Sequence, residues 1–268
     1  MMSIRRVACV ALAAASFLAP AVHATSFSTD QSDLWYIPAE SGWGIQLVQR
    51  ASVIFATLYV YGPDGSPTWY TATLDYTSDD TWTGNLYATT GPYFGAVVFD
   101  PMHTDYTLVG VMTWMAQTTD TGTLTYSVNG LIIVKNMIRQ TLVLDDYGGD
   151  YAGGFHNVLT GCANTALNGT FDVMSQIDIT QNLTGIRIVE AFPATGNSCT
   201  YTGTLSENGQ MGSVPLQFTC TDSSAGTASM DQIQVTQFGI SGSFAATYTN
   251  PTGCLSNGWF GGVRGTTF

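Results

Sequence analysis

Basic residues are scarce in this chain. Seven lysines and arginines stand against 19 aspartates and glutamates, which gives a formal net charge of −12 at pH 7. Nucleic-acid binding requires basic patches that neutralise phosphates, and docking on anionic lipid also depends on basic residues. The composition therefore argues against both partners. It also indicates that copies of this chain repel one another through their negative charge.

Histidine is also scarce, and the cysteines lack the spacing of a metal site. Only His103 and His156 follow the first 24 residues, and neither lies near the nucleophile motif that a Ser-His-Asp site needs. No two cysteines form a C-x-x-C pair, so neither a metal nor a cofactor is predicted. His156 follows two glycines and a phenylalanine and is predicted to lie in a turn.

A carboxylate pair is the remaining route to catalysis. A glycosidase-like hydrolase could pair Glu40 with Asp75, Asp105 or Glu190, because glycoside hydrolysis uses two carboxyl groups. No spacing in the sequence supports one of these pairs over the others. A secreted hydrolase therefore stays as an alternative, and a non-enzymatic role is favoured.

The chain has one long apolar run, near its beginning. Residues 7–18 follow Arg5 and Arg6 and precede the small-residue site Val22-His23-Ala24. This order is typical of a secretory signal peptide, and the run is too short for a transmembrane helix. We predict a signal peptide over residues 1–24, a secreted or periplasmic location and no membrane insertion.

Threonine, tyrosine and tryptophan are abundant and predict an all-β protein, because these residues favour strands. Residues 51–61 alternate between two faces, and turn sequences at 62–65 and 129–130 predict hairpins. A meander removes its exposed edges by closing, so the first half is predicted to be an up-and-down barrel, with a sandwich as the alternative. Its other strands are predicted at 68–76, 81–89, 93–99, 106–117, 122–128 and 131–144.

Residues 145–150 are acidic and glycine-rich, and they indicate a boundary between two small antiparallel domains. The first domain is predicted to span residues 25–144 and the second residues 145–268. The second contains all four cysteines that follow the signal and is predicted to be a disulfide-stapled barrel or sandwich. Its strands are predicted at 170–180, 184–192, 199–205, 212–220, 228–236, 240–249 and 258–264.

The four cysteines allow three pairings, and one hairpin selects among them. Residues 207–210 have a turn sequence, and a four-residue loop over 208–211 places Cys199 directly opposite Cys220. Cys162 and Cys254 then join the start of the second domain to its end. Closing that long loop is expected to stabilise the domain by on the order of 4 kcal/mol.

Aromatic residues concentrate in the first half, where five of the six tryptophans lie. Aromatic rings stack on sugars or flat apolar groups while a carboxylate fixes orientation, so this half is predicted to bind a ligand. The alternative is that the tryptophans plug the barrel. The predicted ligand-binding residues are Trp35, Tyr36, Glu40, Ser41, Trp43, Tyr59, Trp69, Tyr70, Trp114 and Arg139.

Two basic residues lie near the end of the first half, at Lys135 and Arg139. The first and last strands of an up-and-down barrel are neighbours, so these residues could reach the first strand. They are predicted to form ion pairs, with Glu40 or Asp145 as the partners; the alternatives are a solvated strand face and contact with an anionic group of a ligand.

Three separated motifs stand out in the first half. They are Pro-Ala-Glu-Ser-Gly-Trp-Gly at 38–44, Asp-Gly-Ser-Pro-Thr-Trp-Tyr at 64–70 and Lys-x-x-x-Arg-Gln-Thr at 135–141. Together they resemble a recurrent domain of exported proteobacterial proteins, although Ile37 stands where that pattern often has asparagine. The resemblance implies a secreted all-β domain and no particular activity. A fainter likeness to avidin-type barrels, in the Trp-Tyr opening and at 81–87, implies a meander barrel with a Trp-lined mouth.

These features predict a secreted or periplasmic protein that binds a carbohydrate, a small apolar ligand or a protein partner through its first domain. A second alternative is an outer-membrane β-barrel, because the sequence ends in Phe268 as many such barrels do. Phe260 and Arg264 would then share the lipid-facing side of the last strand, where an arginine is costly.

Overall fold

The computed structural model describes residues 29–265 and confirms the all-β prediction. The predicted signal peptide lies outside these residues. The strands form two closed antiparallel barrels that follow one another along the chain. The described helices are short 3₁₀ turns at Pro38–Glu40, Pro101–His103 and Thr165–Leu167, and none within residues 29–265 is long and apolar enough to cross a membrane.

The first barrel is an up-and-down meander of eight strands, as predicted. Each strand pairs with the next, and β1 pairs with β8 to close the barrel, with Trp35 opposite Arg139. The strands are β1 (Asp33–Tyr36), β2 (Gly44–Arg50), β3 (Val53–Tyr61), β4 (Pro67–Ser78), β5 (Thr81–Thr90), β6 (Asp105–Ala116), β7 (Thr121–Val128) and β8 (Leu131–Arg139).

Alternation along β3 shows how the first barrel is filled. Ile54, Ala56 and Leu58 are fully buried, whereas Phe55 and Tyr59 are half-exposed on the outer wall. Successive side chains of a strand point to opposite faces, so one face of each strand supplies the core. The interior of this barrel is consequently a continuous apolar core.

The predicted strand at residues 93–99 is wrong. These residues belong to an irregular connection between β5 and β6, which pair directly with each other and leave the segment no neighbouring strand. Gly91, Pro92 and Gly95 also disfavour extended pairing. Apolar side chains of this connection, such as Phe94, are therefore largely exposed.

The second barrel is also an eight-strand meander, with one short strand added. β9 pairs with β17, and β12 pairs with β14 across the short β13, so the sheet closes as a barrel and not as a sandwich. The strands are β9 (Gly149–Thr160), β10 (Gly169–Asn182), β11 (Gly185–Phe192), β12 (Asn197–Thr204), β13 (Ser206–Asn208), β14 (Met211–Cys220), β15 (Ala225–Val235), β16 (Gly239–Asn250) and β17 (Leu255–Arg264).

Strand β9 is not predicted by the sequence, and His156 lies within it and not in a turn. Its glycine pair at 153–154 hides the strand, because glycine weakens strand propensity. A Cβ on Gly153 would lie 1.9 Å from the carbonyl oxygen of Gly261, so glycine here permits close strand approach. His156 faces outward, with its Nδ1 2.7 Å from Asp172 Oδ1.

The face of β17 that would meet lipid in an outer-membrane barrel points into the second barrel. Phe260 on this face is buried in the core. Arg264 lies at its end, with Cζ 5.0 Å from the centre of the Tyr151 ring, and Nη1 donates to the carbonyl oxygen of Gly148 at 2.9 Å. This strand therefore turns Phe260 inward, whereas Trp259 on its other face is exposed.

Both disulfides are present with the pairing that the hairpin predicts. Cys199 lies directly opposite Cys220 in the register of β12 and β14. Cys162 and Cys254 join the β9–β10 and β16–β17 connections. Both bonds therefore stabilise the same end of the second barrel.

The tip of the β13–β14 hairpin joins the two barrels. The main-chain N–H of Gln210 donates to Asp33 Oδ2 at 2.9 Å, and that of Gly209 donates to Thr141 Oγ1 at 2.9 Å. Through these contacts the second barrel packs against one end of the first barrel, the end at which β1 begins. The disulfide end of the second barrel lies opposite this joint.

Replacing Gly209 with alanine is expected to weaken the joint. Gly209 has φ of +59°, and an added Cβ would lie 2.0 Å from Asp33 Oδ2. We expect a fall of about 2 kcal/mol in the free energy of unfolding, measured by denaturant titration. Gly196→Ala is the control, because Gly196 has φ of +71° with no atom within 4 Å of the added Cβ. An equal loss of unfolding free energy in both variants would show that the contact of Gly209 with Asp33 adds nothing to stability beyond the backbone effect.

Candidate functional site

The structure divides the ten predicted ligand-binding residues among separate parts of the first barrel. One group is buried beside the joint, a second lies at the opposite end, and a third lies on the outer wall. The residues therefore do not form one site. In that order they are Trp35, Trp114 and Arg139; Glu40, Ser41, Trp43 and Tyr70; and Tyr36, Tyr59 and Trp69.

The two buried tryptophans belong to the core. The ring centroids of Trp35 and Trp114 are 4.6 Å apart in an edge-to-face contact. Trp35 Nε1 donates to the main-chain oxygen of Gln31 at 3.0 Å, and Trp114 Nε1 donates to Gln31 Oε1 at 3.1 Å. Packing and Gln31 thus satisfy both side chains, as the alternative of a plugged barrel expects.

Arg139 is a buried cation at the same end. Its Cζ lies 4.5 Å from the centre of the Trp35 ring, and Nη1 donates to Asp33 Oδ2 at 3.1 Å. Nε donates to the main-chain oxygen of Thr119 at 2.6 Å. Because the same Asp33 oxygen accepts from Gln210, this ion pair is part of the joint. Arg139 therefore pairs with Asp33 and not with Glu40 or Asp145.

Glu40 forms the predicted ion pair with Lys135 at the opposite end of the first barrel. Lys135 Nζ lies 2.7 Å from Glu40 Oε2, and Trp43 Nε1 donates to the same oxygen at 3.2 Å. The hydrogen bond from Lys135 lowers the pKa of Glu40. The pair joins the β1–β2 connection to β8 and so closes the seam of the barrel.

Tyr59 and Trp69 are neighbours on the outer wall. They lie opposite each other on β3 and β4, both are half-exposed, and Trp69 Nε1 donates to Thr89 Oγ1 at 3.2 Å. Tyr106 lies opposite Thr89 on β6 and is also exposed. This row is an aromatic surface and not a cavity.

The carboxylates considered for a hydrolase are distributed over both barrels. Glu40 belongs to the first barrel, and Glu190 is buried inside the second. Asp75 and Asp105 are exposed, at the end of β4 and the start of β6. Of the three possible partners of Glu40, Glu190 is therefore excluded, because it belongs to the other barrel.

A cavity of about 300 Å³ lies inside the second barrel at its disulfide end. Ligand pockets have volumes of roughly 300–1,000 Å³, so this one suits a small molecule. Its aromatic rings contact one another, for example Phe155 and Phe244 with centroids 5.2 Å apart. The aromatic lining residues are Phe155, Phe171, Phe192, Tyr201, Phe244 and Tyr248.

Glu190 is the buried carboxyl group of this cavity. It is 2% exposed, and the hydroxyl of Tyr201 donates to its Oε2 at 3.1 Å. Its Oε1 is buried without a hydrogen bond of standard geometry among the described residues. Burial raises the pKa of Glu190 to about 7, although the Ser175 and Tyr201 hydroxyls oppose the rise. The Cys199–Cys220 disulfide lies beside it, because Cys199 is its partner on β12.

Two further polar residues line the cavity. Asn157 on β9 has a buried Oδ1 with no hydrogen-bond partner among the described residues. Asp222 lies in the β14–β15 turn, where Asn197 Nδ2 donates to its Oδ2 at 2.7 Å. The cavity therefore has acceptors in its wall and at the turn beside it.

The sequence contains a signal for Glu190 that is independent of the aromatic clusters. Ile186, Ile188, Glu190 and Phe192 alternate along β11 and therefore share one face. A lone carboxylate on the apolar face of a strand is a buried charge that needs a partner or a function.

No protein-family model matches the chain, and no curated protein matches it. Within residues 29–265, no group of three or more His, Cys, Asp or Glu side chains could hold a metal ion.

Proposed function

We propose that this protein binds a small, mainly apolar molecule in the cavity of the second barrel. The observation that carries the proposal is a cavity lined by aromatic rings whose wall also contains the buried carboxyl group of Glu190. Ligand pockets combine apolar walls with a few polar groups that fix orientation, and this cavity has that composition.

An unpaired acceptor beside Glu190 supports a ligand and not a packing role. A buried acceptor without a partner costs about 1–3 kcal/mol, so native proteins leave few of them. Asn157 lines the same cavity as Glu190, and its buried Oδ1 has no hydrogen-bond partner among residues 29–265. A ligand that donates hydrogen bonds would satisfy this atom and could also donate to the Glu190 carboxylate.

The first barrel has a supporting role in this proposal. Its core is filled, and its buried Arg139 and Asp33 connect to the hairpin of the second barrel. We place the action of the protein outside the cytoplasm, in the periplasm or beyond, because two disulfides stabilise the end that contains the cavity.

Replacing Val173 with tryptophan is expected to abolish ligand binding. Val173 lines the cavity, so a larger ring there fills the space that a ligand would occupy. Saturation-transfer NMR with a panel of small aromatic and aliphatic molecules measures binding. Val263→Trp is the control, because Val263 is exposed. Near-UV circular dichroism shows whether each variant is folded, and equal binding by folded Val173→Trp and wild type would contradict the cavity.

A second candidate function is glycan binding on the outer wall of the first barrel. The half-exposed neighbours Tyr59 and Trp69 present ring faces on which sugars could stack, and Thr89 adds a hydroxyl. Trp69→Ala is then expected to weaken binding in a glycan array by about tenfold, the loss of one stacking ring. Unchanged glycan binding, or none by wild type, would remove this candidate. Phe55→Ala is the control, because Phe55 is half-exposed on the same wall outside this row.

A further inference from the structure

We infer that the ligand of the second-barrel cavity is a small amine, whose cationic head Glu190 holds among the aromatic rings. This inference rests on the proposed function and specifies the chemical class of the ligand.

The charges of the cavity select against anions. Two carboxyl groups line it, Glu190 in the wall and Asp222 at the turn, and the described lining contains no lysine, arginine or histidine. An anionic ligand would meet like charge without a counter-ion, and that arrangement is costly in a low-dielectric interior. The ligand is therefore neutral or cationic.

The hydrogen-bonding groups favour a cation over a neutral molecule. Glu190 accepts from the hydroxyls of Tyr201 and Ser175, and a carboxylate has lone pairs for a further donor; Asn157 Oδ1 is a second acceptor, which has no partner among the described residues. An ammonium group has three donors and no acceptor, whereas a hydroxyl group has one donor. An amine can satisfy both acceptors at once, and its bond to the carboxylate is charge-assisted.

The aromatic lining favours the same class. Phe244, Tyr201 and Tyr248 belong to a connected set of rings around the cavity, with the Tyr201 and Phe244 centroids 6.2 Å apart. Ring faces attract cations, and desolvation strengthens that attraction. A nearby ammonium also favours the charged form of Glu190, which burial alone disfavours.

Isothermal titration calorimetry at pH 8 with three molecules of one shape tests the inference. The probes are 2-phenylethylamine, 2-phenylethanol and phenylacetate, which differ in head-group charge and are small enough for the cavity. We expect the amine to bind at least about tenfold more tightly than the alcohol, because its bond to Glu190 is charge-assisted, and phenylacetate to bind most weakly. Glu190→Gln is expected to remove the preference for the amine while alcohol binding persists.

The outcomes separate this inference from the proposed function. Equal affinity for amine and alcohol, or an amine preference that survives in Glu190→Gln, would overturn the amine class while the apolar cavity stands. Binding of all three probes that persists in Val173→Trp would overturn the cavity itself. Absence of binding by every probe at millimolar concentration would overturn both. Asp178→Asn, an exposed change on β10, is the control for loss of a carboxylate elsewhere.

Discussion

Replacing Arg139 with methionine is expected to lower the free energy of unfolding by about 3–5 kcal/mol. The reason is that the change leaves Asp33 and the main-chain oxygen of Thr119 without the cation that they bind. Arg139 is 2% exposed and pairs with Asp33 at 3.1 Å. Methionine keeps much of the volume but provides no donor for Asp33 or for the main-chain oxygen of Thr119. Denaturant unfolding at neutral pH measures the loss.

Two further variants separate the role of the buried network from the loss of a positive charge. Arg50→Met removes a cation that is exposed on β2 and is expected to change stability by less than about 1 kcal/mol. Arg139→Lys keeps the charge but cannot reproduce the planar fork of donors, so most of the loss should remain. Near-wild-type stability of Arg139→Met would contradict the network, as would full rescue by lysine.

Replacing Glu190 with glutamine is expected to raise stability above pH 7 and to leave it nearly unchanged below pH 4. Burial raises the pKa of Glu190 from 4.5 to about 7, so the folded protein holds more protons than the unfolded chain between these values. Wild-type stability therefore falls as pH rises through this window and is level above it. The pKa shift corresponds to a loss of about 3 kcal/mol from the free energy of unfolding of the wild type. The glutamine variant does not ionise and therefore keeps that stability.

Unfolding free energies of both proteins between pH 4 and pH 9 measure this difference. We expect the difference in unfolding free energy between the variant and the wild type to grow as pH rises from 4.5 to about 7, and to stay constant above that pH. Asp178→Asn on the exposed face of β10 is the control and should show no gap of this form. A gap of constant size at every pH would mean that the pKa of Glu190 is the same in the folded and unfolded protein, contrary to its burial.

The strand alternation predicts much of the fold. On β3 the sequence pattern separates Ile54 and Leu58 from Phe55 and Tyr59, and the structure places the first pair inward and the second pair on the outer wall. The opposition of Cys199 and Cys220 also follows from local sequence, because a hairpin fixes its own register. Where glycine replaces the pattern, as on β9, the strand is missed because its pairing is determined by distant neighbours.

The location of the candidate site could not be predicted from aromatic content. Trp35 and Trp114 are satisfied by Gln31, and Trp114 is 83 residues from it along the chain, so their burial depends on the closed barrel. Composition directs attention to the first half, whereas the cavity depends on how eight strands of the second half close. The sequence shows Glu190 as a carboxylate on an apolar face, but it does not show the cavity that this carboxylate lines.

The motifs at 38–44 and 135–141 meet across the seam between the start and the end of the first barrel. Lys135 of the later motif pairs with Glu40 of the earlier one, and Arg139 stacks on Trp35 beside Asp33. These contacts close the barrel and, through Asp33, attach it to the second barrel. In this structure the residues that make the sequence distinctive therefore hold the scaffold.

A carboxyl ¹³C NMR titration of Glu190, with and without 2-phenylethylamine, tests the central claim most directly. The chain contains only three glutamates, at positions 40, 190 and 207, so the labelled carboxyl signals are few, and Glu190→Gln identifies the one of interest. We expect a pKa of about 7 in the free protein and a fall of about one unit or more when the amine is bound. A free pKa near 4.5, or a value that saturating amine leaves unchanged, would contradict the account.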